Sequence, residues 1–114
     1  MSLLTVEFSP AVADIFVVGK ASFKKTFTFN FDDSPIDFTG SEMFGYISEY
    51  YNVEKKLDLN VTVFSDPTLG KINLELTPEQ TSVLNRPRYV YSVFARKNTD
   101  IIKIASGQVL VELS

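Results

Sequence analysis

A chain of 114 residues has room for one domain and one core, with about two thirds of its unfolded surface buried on folding. Its net charge of −3, and basic residues scattered in the short clusters Lys24-Lys25, Lys55-Lys56 and Arg86 to Arg88, argue against a nucleic-acid partner, which calls for a concentrated basic patch. With no cysteine and no histidine, the chain has no disulfide, no thiol nucleophile, no imidazole base and none of the commonest zinc ligands.

Phenylalanine is abundant, at 10 residues, and Val, Ile, Tyr and Thr recur, so the composition points to an all-β fold. No apolar run approaches the ~20 residues of a membrane-spanning helix, and the first residues lack the basic start and apolar stretch of a signal peptide. The expectation is a single domain over residues 1–114 with no membrane association.

In chain order, Leu4 to Phe8 alternates as a first strand and Val12 to Val18 reads as an extended stretch closed at Gly19. Phe23 to Phe31 carries the strongest strand signal, with Phe23, Lys25, Phe27, Phe29 and Phe31 on one face. Asp32 to Gly40 is a turn-rich connection. In Ser41 to Tyr51, Met43, Gly45 and Ile47 share one face and Phe44, Tyr46, Ser48 and Tyr50 the other. Both faces are apolar or aromatic, so this strand is either central between two layers or exposes a contact surface. Leu57, Leu59, Val61 and Val63 alternate next, and Ser65 to Gly70 is a second turn.

Lys71 to Leu76 is a further half-buried strand. Thr77 is placed as a helix N-cap, Pro78 as the first helical residue and Gln80 as the reciprocal partner of a capping box. Asn85 in a left-handed conformation and Pro87 would end this short helix. Tyr89 to Ala95 and Ile101 to Leu113 form a hairpin around Lys97-Asn98-Thr99-Asp100. Ile102 and Ile104 fall in one phase and Val109, Val111 and Leu113 in the other. A bulge at Ser106-Gly107 would absorb that slip.

Chemistry is sparse. Asp32 with Asp37, or Glu42 with Glu49, are the carboxylate pairs a hydrolase would need. Asp32, Asp33 and Asp37 are a conceivable calcium cluster, although their spacing matches no known loop and suits turn chemistry better. Neither reading displaces solvated charges, so no catalytic, cofactor-binding or metal residue is assigned. Phe44, Tyr46, Tyr50 and Tyr51 form the candidate interaction surface, for a protein or, alternatively, for a carbohydrate stacked on the tyrosines.

The order of turn and packing motifs resembles an immunoglobulin-like domain of tailed-bacteriophage structural proteins, similar to the N-terminal domain of phage baseplate upper proteins. Phe23 fits the opening aromatic and Ile36-Asp37-Phe38-Thr39-Gly40 the turn that follows. Gly70, Leu74, Leu76, Thr77, Thr81 and Leu84 fit the central signature, Tyr89 and Tyr91 the next strand, and Gly107, Val109 and Val111 the closing one. Ser92 departs from the aspartate often found after the second tyrosine. The resemblance implies an all-β, immunoglobulin-like antiparallel β-sandwich of seven to eight strands with one short helix near 78–84. It implies a non-enzymatic virion structural protein of tail, baseplate or neck, assembled in the host cytoplasm. Its partners would be other virion proteins and further copies of itself.

Overall fold

Alternation of apolar and polar residues makes strands of most of this chain. The computed structural model describes residues 11–31, 33–51 and 53–113, and the expected strand at Leu4 to Phe8 lies outside them. The described strands are β1 (Ala11–Val12), β2 (Ile15–Val18), β3 (Phe23–Thr28), β4 (Asn30–Phe31), β5 (Ser34–Pro35), β6 (Glu42–Ser48), β7 (Lys55–Val63), β8 (Lys71–Leu76), β9 (Arg88–Lys97) and β10 (Asp100–Glu112). A 3-10 turn spans Pro67–Leu69, and the one α-helix among the described residues, α1, spans Pro78–Ser82.

Eight strands form a sheet in the order β1-β10-β9-β6-β7-β8-β3, with β2 also on β10, while β4, at the end of the expected Phe23 to Phe31 strand, and β5, in the expected turn region, make a separate ribbon. The fold is all-β. The sheet is mixed, however, whereas the sequence suggests a purely antiparallel one. Both β1 and β2 run parallel to β10, with Ala11 opposite Ala105 and Ile15 opposite Val109. No hairpin dictates their direction, because the two partners are joined through the whole intervening chain.

The curl of the sheet is set by β7. Its first half pairs with β6, Leu59 standing opposite Gly45. Its second half pairs with β8, Asn60 standing opposite Glu75. Changing partner between Leu59 and Asn60 wraps the inward rows around one core, which joins Ile15 and Val17 to Ile47, Ile72, Leu74, Tyr91, Val93 and Val109. Phe27 and Phe29 of the expected Phe23 to Phe31 face are buried and Phe23 is half-buried, but Lys25 is exposed on the outermost strand. That strand ends at Thr28, where Phe29 N–H bonds Gly70 O at 2.8 Å. Gly70 itself has a φ of 68°, and a Cβ there would lie 2.5 Å from Phe29 O, so the crossing needs glycine on both counts.

The capping box forms as the sequence implies: Gln80 N–H bonds Thr77 Oγ1 at 3.2 Å and Thr77 N–H bonds Gln80 Oε1 at 2.9 Å. The helix stops differently. It ends at Ser82 with a right-handed cap at Val83, and Asn85 does not take the left-handed conformation. The Asn85 groups are engaged by Tyr89 instead, whose hydroxyl accepts from Asn85 N–H at 3.0 Å and donates to Asn85 Oδ1 at 3.2 Å. This arrangement, at the entry to β9, has the form of a tyrosine corner, a phenol bonded back to a residue a few positions upstream.

At the other end of β9, the hairpin closes as expected with Asp100 opposite Lys97 and Asn98 at a φ of 58°. The phase slip in β10 is real, but the bulge lies between Lys103 and Ala105, around the buried Ile104. Ser106-Gly107 stays in register because Gly107 has a different task. Ala13 crosses directly over it, and a Cβ on Gly107 would sit 2.1 Å from Ala13 O. Ala13 N–H bonds Ser106 O at 3.0 Å, and the Tyr91 hydroxyl donates to Ala13 O. Burial in this clasp pushes the Tyr91 phenol well above its usual value.

Candidate functional site

The inward row of β6 is Met43, Gly45 and Ile47, so the outward row is Glu42, Phe44, Tyr46 and Ser48. Register then decides what stands beside each of them. Phe44 is opposite Phe94 of β9, and Phe94 is opposite Lys103 of β10. The Phe94 ring lies between the two β6 aromatics, stacked on Phe44 at 5.3 Å with an interplanar angle of 16° and on Tyr46 at 5.7 Å and 27°. All three side chains are half-buried and lie outside the core cluster.

Cations sit on this aromatic row. Arg96 lies 5.8 Å from the Phe44 ring centroid and donates to Glu42. Lys103 Nζ lies 5.8 Å from the Phe94 centroid and 5.5 Å from that of Tyr51. Tyr51 comes from the loop after β6, which folds back over the sheet and is tied down by its hydroxyl, bonded to Gly107 O at 3.1 Å. Beside it, Tyr50 lies under Arg86, whose guanidinium donates to Tyr50 Oη at 3.2 Å and to Glu49 Oε1 at 3.0 Å.

Between this loop and the strands is a cleft of about 220 Å³. Tyr46, Ser48, Ser92 and Lys103 line it, and Tyr50, Tyr51 and Val53 stand at its exposed rim. Ser48 is only 3% exposed, and its hydroxyl has no hydrogen-bond partner among the described residues.

The structure thus brings together all four aromatics singled out from the sequence, Phe44, Tyr46, Tyr50 and Tyr51, on one outward face. It adds Phe94, Lys103, Arg86 and Arg96, which sequence reasoning missed. Phe94 had a signal: it is the large apolar residue on the outward phase of a strand whose inward row is Tyr89, Tyr91, Val93 and Ala95.

The carboxylates behave otherwise. Glu42 and Glu49 stand at opposite ends of β6, each paired with its own arginine. Asp37 accepts hydrogen bonds from the Thr39 hydroxyl and, at 2.9 Å, the Thr39 N–H. These two bonds hold its carboxyl below the ordinary value of 3.8. Asp66 makes the same turn with Thr68, with the same consequence. Asp33 sits in the turn between β4 and β5 at a φ of 63°, Asp32 lies outside the described residues, and no group of three or more metal-binding side chains occurs among those described.

No protein-family model and no curated protein matches the sequence. Among solved structures the chain is similar to one from structure-based photo-crosslinking analyses of multimeric cell-adhesive interactions of VGSC beta subunits. The two are 13% identical, with a TM-score of 0.43 over 96% of this chain and 98% of that one.

Proposed function

We propose that this chain is a non-enzymatic assembly module that docks other proteins on the outward face of β6, β9 and β10. The observation that supports this reading is the stacked row Phe44-Phe94-Tyr46. An outward face of an antiparallel strand pair that meets only water is ordinarily polar, and a contiguous aromatic row there is the mark of a contact surface. The cations over the rings add polar reach to an apolar centre, as aromatic and arginine residues do in protein interfaces.

The sequence's resemblance to tailed-bacteriophage structural domains supports a virion as the assembly, with other virion proteins and further copies of this chain as partners. In a phage lysate in which the protein is made, antibodies raised against it are expected to label tailed particles. Phe94→Asp is expected to fold yet fail to enter those particles. Unlabelled particles would remove the virion reading, and wild-type incorporation of Phe94→Asp would remove the aromatic face from it.

The tyrosine-rimmed cleft favours a second reading, a carbohydrate site. Tyrosines offer flat apolar faces for a sugar ring, and Lys103 adds a polar group beside them in the cleft lining.

A further inference from the structure

We infer that the cleft under the Tyr50-Tyr51 loop takes a carboxylated sugar residue, a hexuronate, with its ring against the tyrosines and its carboxylate on Lys103. This rests on the carbohydrate reading and names the substrate class within it.

Charge makes the distinction. Three cations sit over aromatic rings on this face. Arg86 is paired with Glu49 and Arg96 with Glu42. Lys103 has no carboxylate within salt-bridge distance among the described residues, although its ammonium reaches the rings of both Phe94 and Tyr51 at the edge of the cleft. A neutral sugar would leave that ammonium without a counter-charge, whereas a carboxylate supplies one.

Shape and hydrogen bonding agree. At about 220 Å³ the cleft is below the range of drug-sized pockets and fits a single ring. The Tyr51 hydroxyl is committed to Gly107 O and that of Tyr50 to Arg86, so both rings are held in place before any ligand arrives.

The test is an amide-shift titration of the whole chain with D-glucuronate, D-galacturonate, D-glucose and acetate. Saturable shifts with a uronate at Tyr51, Val53, Ser92 and Lys103 are expected, with glucose and acetate at least tenfold weaker. Lys103→Met is expected to weaken uronate binding about tenfold, the loss of one charged hydrogen bond. Unmoved Tyr89 and Tyr91 amides would show that this variant keeps its fold. If glucose binds as tightly as glucuronate, the carbohydrate reading stands and the acidic one fails. If acetate matches glucuronate, the sugar ring contributes nothing and the inference fails. If no probe shifts the cleft residues, both readings fall. The comparison of glucuronate with glucose on the unaltered chain needs no variant, so it decides the matter even if Lys103→Met unfolds.

Discussion

Tyr89 and Asn85 exchange two hydrogen bonds across four residues, backbone N–H to phenol at 3.0 Å and phenol to side-chain oxygen at 3.2 Å. Tyr89 is fully buried, so its hydroxyl has no water to fall back on. Tyr89→Phe keeps the ring and leaves the Asn85 N–H without this acceptor. It is expected to destabilise the fold by about 1–3 kcal/mol, measured as a shift in the urea midpoint at unchanged slope. An unaltered midpoint would mean that the corner contributes nothing.

Gln80 ties the helix to the point where β7 changes partners. Its Oε1 accepts from Thr77 N–H and, at 3.0 Å, from Asn60 Nδ2, and its Nε2 donates to Asp58 O at 3.0 Å. Gln80→Ala is expected to cost about 1–2 kcal/mol, more than a cap on an isolated helix. Gln80→Glu keeps the acceptor and removes the donor. It should therefore speed hydrogen exchange around Asp58 to Asn60 more than around Thr77. Equal acceleration at both places would refute the link to β7.

Gly107 leaves no space for any side chain. Gly107→Ala sets a methyl against the Ala13 carbonyl and within 3.1 Å of the Tyr91 ring, both held by backbone hydrogen bonding or core packing. The expected loss is about 2–4 kcal/mol, seen as a lowered melting temperature together with loss of exchange protection in β1 and β2. A melting temperature within a degree or two of the parent would show that the clasp yields easily.

Acid acts through two turns of the same design. The Thr39 and Thr68 hydrogen bonds lower the pKa values of Asp37 and Asp66 below the ordinary 3.8. The folded value is the depressed one, so this contribution is full above the unfolded pKa and is lost as pH falls through the folded pKa. Replacing both by Asn keeps an acceptor and removes the titration. The double variant is expected to show a flatter decline in stability between about pH 5 and pH 2. An acid limb as steep as that of the parent chain would place the effect elsewhere.

Local rules are the part of this fold that can be read in the sequence. Thr77, Pro78 and Gln80 announce their box because all its partners lie within three residues. The two-residue period of β6 correctly separates Ile47 from Phe44 and Tyr46. The phase change in β10 is visible, but its position is not, because the reason Gly107 stays in register is Ala13, far away in the chain. The partner exchange within β7 leaves no local trace either, since Leu57 to Val63 keeps one alternation throughout. The site divides the same way. Phe44, Tyr46, Tyr50 and Tyr51 are neighbours in sequence, whereas Phe94 and Lys103 join them only through cross-strand register.

The parallel pairing of β2 with β10 has a consequence for how the protein is made. Asp14 and its partner Gln108 are 94 residues apart, and Ile15 and Val17 complete the core only beside Val109 and Val111. During synthesis the apolar Ile15-Phe16-Val17-Val18 segment leaves the ribosome first and waits, without this sheet neighbour, until translation reaches β10. The window is several seconds at ordinary elongation rates of about 5–20 residues per second. Throughout it, an apolar strand edge is open to other nascent chains, so crowding on polysomes gives misassociation an opening that closes once β10 is made.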